Sequence, residues 1–144
     1  MTAETEAFLA EMIPAQIAAD RELHNGDAAP RIAQWAHQDP VSLFGARLTA
    51  STWADVEPSF HQVASWFSGS ISWDFEIVHA AASGDLAYTV AYENSEPITE
   101  SAPRRYRLRA THIYRRVNGA WKIIHRHADM VPASDKPLFH NAQQ

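Results

Sequence analysis

Cysteine is absent from all 144 residues, which excludes disulfides and thiolate metal sites and is compatible with a reducing compartment. Nor does any run approach 18 apolar residues, so no membrane-spanning helix is expected. The opening segment MTAETEAFLAEM is acidic and has no basic n-region leading into an apolar h-region. No signal peptide is therefore expected, and a cytoplasmic location is. Internal repeats, low-complexity segments, phosphate-binding loops and nucleophile motifs are missing as well. Basic charge is scarce over residues 1–100, which hold only Arg21, Arg31 and Arg47 against 15 of the 17 acidic groups. With a net charge of −5 and no recognition motif beside the arginines, nucleic acid is not an expected partner.

The residues that are present describe a soluble globular protein, 46% hydrophobic and 20% charged. The length suits one domain with a real core, expected over residues 1–131, with a polar tail at 132–144. Residues 101–144 carry nine basic groups against Asp129 and Asp135, and eight of the nine fall between Arg104 and Arg126. Either the acidic segments pack beside a basic sheet, or the basic segment is an anion-binding surface.

Phe8, Leu9, Met12, Ile13, Ile17 and Leu23 recur at helical spacing from Glu4 to Asn25, with a kink or restart predicted at Pro14 and a stop at Asn25-Gly26. Asp27 is placed to cap a short second helix through Trp35, with Asp39-Pro40 as its stop. Val41–Phe44 reads as a short strand, and Trp53–Phe67 as a third helix capped by Ser51 or Thr52. Beyond Gly69 the period changes to two, predicting strands at Ile71–Ala82, Leu86–Glu96, Arg104–Val117 and Ala120–Val131. The segment EPITESAP and the dipeptide Asn118-Gly119 join the later strands. The fold class is therefore α+β, with N-terminal helices on one side of a strongly curved, antiparallel or mixed sheet. The sheet coils into a cone around a central pocket.

The last hairpin, RATHIYRRVNGAWKIIHRHAD (Arg109–Asp129), poses the sharpest chemical question. A two-residue turn at Asn118-Gly119 pairs Val117 with Ala120 and puts His112 opposite His125, with His127 one pleat along. One face would then carry Tyr106, Leu108, Ala110, His112, Tyr114, Trp121, Ile123, His125 and His127. The other would carry Arg107, Arg109, Thr111, Ile113, Arg115, Lys122, Ile124, Arg126 and Ala128. His112, His125 and His127 are the candidate metal ligands, since three imidazoles with an open position suit zinc. No carboxylate except Asp129 is placed to orient them, so no metal and no other cofactor is expected. Their other readings are packing beside Trp121 and Tyr114 at a subunit interface, and acid–base work by His112 or His125.

Glu93 is the strongest single candidate. It ends the small series Ala87, Thr89, Ala91 on one face of its strand, where small residues leave volume. A carboxylate at the end of that volume must find a partner or shift its pKa. Arg109 and Arg126 are its candidate partners. A Glu/Arg/Arg cluster would orient an anionic or carbonyl-bearing ligand by fork-shaped hydrogen bonds. Trp53 and Trp73 are candidates for closing the mouth, along with Trp35, Phe44, Phe60 and Trp66, although aromatics at such spacings are commonly core. Asp74 and Glu76 alternate with Trp73, Phe75 and Ile77 and are expected to face solvent.

The order of elements, together with VSLFG, SGDLAYTVAYE and the closing hairpin, resembles the SnoaL-like branch of the nuclear-transport-factor-2-like superfamily. The resemblance covers about residues 4 to 131 and is most specific in the hairpin. It implies a cone-shaped fold, usually dimeric through the outer face of the sheet, with a deep pocket between sheet and helices. It does not imply a reaction, because the fold hosts enzymes, binders and assembly modules. Similarity to the kinase association domains of the superfamily implies pocket positions at Glu93 and Thr111. By strand parity that puts Arg109, Thr111 and Arg126 inside and the histidine face outside, the inverse of the reading from the hairpin alone. The trio of the ketosteroid isomerases and the Asp-Arg-Asp set of limonene epoxide hydrolase find no counterpart here, and Asp129 and Asp74 are weak counterparts of the SnoaL aspartate. The expected function is binding of a small carboxylate- or carbonyl-bearing organic molecule. The alternatives are a cofactor-independent isomerase, dehydratase, cyclase or hydrolase with Glu93, His112 or His125 as catalytic group, or a structural homodimer with a vestigial pocket.

Overall fold

The computed structural model describes residues 1–98 and 105–132, so the predicted polar tail lies outside the described residues save Pro132. Helix α1 spans Ala3–His24, α2 Ala29–Ala33 and α3 Trp53–Ala64. The strands are β1 (Ser42–Phe44), β2 (Thr49–Ala50), β3 (Gly69–Ser83), β4 (Leu86–Ile98), β5 (Tyr106–Val117) and β6 (Ala120–Met130). They form one six-stranded sheet in the order β2-β1-β6-β5-β4-β3. All neighbours are antiparallel except β1 on β6. The two-residue β2 is too short to leave a periodic signal and was not predicted. No helix among the described residues is long and apolar enough to cross a membrane.

Helix α1 starts at Thr2, whose hydroxyl accepts from the Thr5 amide at 3.1 Å, and closes at Gly26 with φ of 91°. It does not restart at Pro14, as the sequence suggested. That residue lies on the exposed side, so its ring meets solvent while the opposite stripe stays packed on the sheet. The Asp27 carboxylate accepts from the Ala29 amide at 2.9 Å, but the capping position itself is Ala28, and α2 ends at Ala33 rather than Trp35. Trp35 instead forms a parallel bridge with Ile123 of β6.

The core is built where α1 and α3 meet the inner face of the sheet. Phe8 is wedged edge-on between Tyr114 and Trp121, with centroids at 4.9 and 5.2 Å, and Phe60 of α3 lies 5.3 Å from Trp35. Asn118 and Gly119 take φ of 51° and 83°, and Val117 pairs with Ala120, so the predicted two-residue turn is present. Irregularities at Ser70/Ser72 and Ile77/His79 in β3, and beside Tyr114 in the last hairpin, bend the sheet around the helices. The outer face leaves Tyr88, Ile113, Val78 and Phe44 exposed.

Candidate functional site

One residue decides what faces inward. Ile113 pairs with His125, but Tyr114 pairs with Ile123, so Ile124 is an extra residue in β6. Every side chain beyond it changes face relative to an unbroken ladder. Trp121 and Ile123 are buried on the inner face, and so are Arg126 and Ala128, while His127 is exposed. His112 therefore sits opposite Arg126, not His125, and Thr111 sits opposite His127. The face read from the hairpin holds for Ala110, His112, Tyr114, Trp121 and Ile123, which are buried, and fails for His125 and His127, because it assumed uninterrupted alternation.

The bulge brings Arg126 to Glu93. The guanidinium donates to both carboxylate oxygens at 2.8 Å, and Nη1 also reaches His112 Nε2 at 3.1 Å. Glu93 is 5% exposed and Arg126 7%. Burial alone would raise the glutamate's pKa, but the guanidinium outweighs it and holds the carboxyl at about 2. His112 is pushed well below its ordinary value by burial and then by Arg126, so it is a neutral imidazole accepting at Nε2.

A second buried set extends from this pair. Asp20 of α1 forms an ion pair with Arg31 of α2, and Gln16 Nε2 donates to the same carboxylate at 2.7 Å. Desolvation prevails over Arg31 there and lifts Asp20 to about 6. His24 Nδ1 faces the Asp20 carbonyl at 2.8 Å and so carries the proton, which leaves Nε2 to accept from the Tyr106 hydroxyl at 2.6 Å. Ser95 Oγ lies 3.3 Å from the same nitrogen. Burial lowers His24 and raises Tyr106 to about 12, so the proton rests on the phenol. The Arg31 Nε, Trp35 Nε1, Gln34 Oε1 and Tyr114 hydroxyl are buried with no hydrogen-bond partner among the described residues.

Asp20, Arg31, His24 and Tyr106 were not among the sequence candidates. The available signal was Gln16, Asp20 and His24, which continue at four-residue spacing the stripe begun by Phe8 and Met12. A buried stripe that turns polar halfway along announces an interior polar cluster, and only its apolar half had been used.

Arg109 and Thr111 lie on the outer face, away from Glu93. Arg109 donates to both oxygens of Asp129 at 2.8 Å. With Tyr92, Val78 and His127 they line an outward cavity of about 310 Å³. His125 accompanies His127 on that face, its Nδ1 2.7 Å from Ser42 Oγ and its ring edge-on to Phe44. His112 is on the other side of the sheet, so the three histidines do not converge on one ion, because the bulge parts them. Trp53 stacks on His37 at 4.3 Å at the start of α3. Trp73 and Phe75, with Ile13, Ile17, Asp74 and Ile77, line a cavity of about 350 Å³ between α1 and edge strand β3. Glu93 lines neither cavity, but Phe75 is its partner across the β3–β4 ladder.

No curated protein matches the sequence. Solved structures share the fold. The candidate association domain of a calcium/calmodulin-dependent protein kinase type II from Thiobacillus denitrificans superposes with a TM-score of 0.68 at 22% identity, covering 82% of this chain and 93% of that one. A candidate dehydratase of the nuclear-transport-factor-2-like family from Streptomyces avermitilis gives 0.70 at 20% identity, covering 89% and 99%. A ketosteroid isomerase-like protein from Erwinia carotovora atroseptica gives 0.68 at 17%, covering 86% and 96%. At these identities the likeness shows the cone fold alone. The family model for SnoaL-like domains matches residues 14–133, and the chain belongs to that family.

Proposed function

We propose that this chain binds a small organic molecule bearing a carbonyl or carboxylate group in the space between α1 and the inner face of the sheet. The observation that carries this reading is the buried polar cluster of Glu93, Arg126, His112, Asp20 and Arg31. Two buried ion pairs are a poor way to stabilise a domain, since well-packed apolar side chains do at least as well. A cluster held in fork geometry is a good way to orient a polar ligand. The cavity of about 350 Å³ beside Phe75 has the size of a small-molecule site and offers an apolar seat for the rest of the guest. Dimerisation through the outer face, where Tyr88 and Ile113 are exposed, belongs to the same reading.

A thermal-shift series of aryl carboxylates, ketones and amides tests it. A ligand at a hundred times its Kd stabilises by about 2.7 kcal/mol, roughly 9 °C for a chain of this length. That shift is expected to disappear in Ile17→Asp, which places a charge on the cavity wall. If no compound of the series raised the melting temperature, the binding reading would fail.

A second reading, a cofactor-independent isomerase, dehydratase, cyclase or hydrolase, is favoured by Asp20. A carboxyl lifted to about 6 is suited to proton transfer near neutrality. Solvent deuterium incorporated next to the carbonyl of a bound ketone, and lost in Asp20→Asn, is its expected signature.

A further inference from the structure

We infer that the α2 side of the interior receives the carbonyl oxygen of an uncharged guest, held by Arg31 Nε, Trp35 Nε1 and the Tyr114 hydroxyl. This rests on the proposed binding function and narrows its ligand class from carbonyl or carboxylate to neutral carbonyl.

The three donors come from separate parts of the chain and are brought together by the fold. Trp35 bridges Ile123, and Ile123 pairs with Tyr114, so Trp35 and Tyr114 flank Ile123 on either side of β6. Arg31 lies one helical turn before Trp35. Phe60 touches both, 5.3 Å from the indole and 5.9 Å from the guanidinium carbon. Arg31, Trp35 and Tyr114 are each at least 98% buried, yet these N–H and O–H groups meet no acceptor among the described residues. A buried donor left unpaired loses the water it had when unfolded and gains nothing in return. Native proteins rarely leave several of these together unless an acceptor visits them. The cross-strand neighbour of Tyr114 is the small Ala87, while Phe8 packs edge-on against the Tyr114 ring at 4.9 Å.

Charge decides the class of acceptor. Asp20 and Glu93 already balance Arg31 and Arg126, and burial keeps His24 and His112 neutral. A carboxylate entering this corner would be a buried anion without a counterion of its own. A ketone, ester or amide oxygen accepts the same hydrogen bonds and adds no charge. The acceptor Gln34 Oε1, also unpartnered, favours a carbonyl with an N–H or O–H beside it.

The test is a titration of the full, ¹⁵N-labelled chain at pH 8 with benzamide, acetophenone and benzoate. The readout is the five indole N–H signals, with Trp35→Phe assigning that of Trp35. Benzamide and acetophenone are expected to move the Trp35 signal and benzoate to leave it in place. Tyr114→Phe, which keeps the ring, is expected to weaken benzamide about tenfold. Benzamide binding that shifts other signals while Trp35 stays put would overturn the inference and leave the binding function standing, the donors then holding internal water only. Benzoate binding as well as benzamide would overturn it too. If none of the three bound at millimolar concentration, the inference and the binding function would fall together.

Discussion

Glu93→Gln probes the centre of the interior. The substitution keeps the shape but removes the charge, so Arg126 loses one of two charge-assisted bonds and remains as a buried cation. Breaking one partner of a buried pair costs about 3–5 kcal/mol. Unfolding entropy of about 2.1 cal/mol/K per residue gives roughly 0.3 kcal/mol/K for the whole chain, so a loss of 3 kcal/mol lowers Tm by about 10 °C. The double variant Glu93→Leu/Arg126→Met removes both charges and is expected to recover most of that loss. The pH dependence has a definite sign. Because the folded Glu93 pKa is depressed to about 2, its contribution is fully present above about 4.5 and is lost as pH falls towards 2. The gap between wild type and Glu93→Gln is therefore expected to be full at pH 7 and to close towards pH 2. Calorimetry of the four proteins of the cycle at several pH values measures this. A single-variant loss below about 1 kcal/mol, or a double variant no better than the sum of the singles, would refute the claim that these charges are coupled and desolvated.

Other perturbations reach different parts of the structure. His112 is held neutral far below its ordinary pKa, so its stabilising contribution is present above about 6.5 and is lost on acidification. Between pH 7 and 5 wild type is expected to lose stability relative to His112→Gln, and parallel urea curves would expose the error. Tyr106→Phe leaves His24 Nε2 without its 2.6 Å donor and is expected to cost about 1–2 kcal/mol by chemical denaturation, with an unchanged m-value. Gly119→Ala forces a side chain into φ of 83° with nothing within 4 Å to clash, so a loss of about 1 kcal/mol from backbone strain alone is expected in thermal melts. In analytical ultracentrifugation the wild type is expected to sediment as a dimer and Tyr88→Lys, on the outer face, as a monomer. A wild-type monomer would contradict pairing through the sheet.

Local chemistry was enough to read most of the architecture. Period-two alternation after Gly69 located the four long strands. Asn118-Gly119 located the turn, because few other dipeptides accept positive φ at both positions. The helical stripe from Phe8 to Leu23 located α1. The series Ala87, Thr89, Ala91 ending in Glu93 marked the inward face of β4, and Arg126 was among the partners expected for that glutamate. These features depend on neighbours a few residues apart, so they are written into the sequence directly. The composition of the interior is not. Ile124 leaves no local mark as a bulge, yet it sends Arg126 inward, leaves His125 and His127 outside, and parts His127 from His112. Likewise Asp20 and His24 look like ordinary polar helix residues until Arg31 and Tyr106 arrive, the latter 82 positions later in the chain. A single extra residue in one strand, and hydrogen-bond partners far apart in sequence, have no periodic signature. The tertiary structure alone decided which charges share the dry side of the sheet.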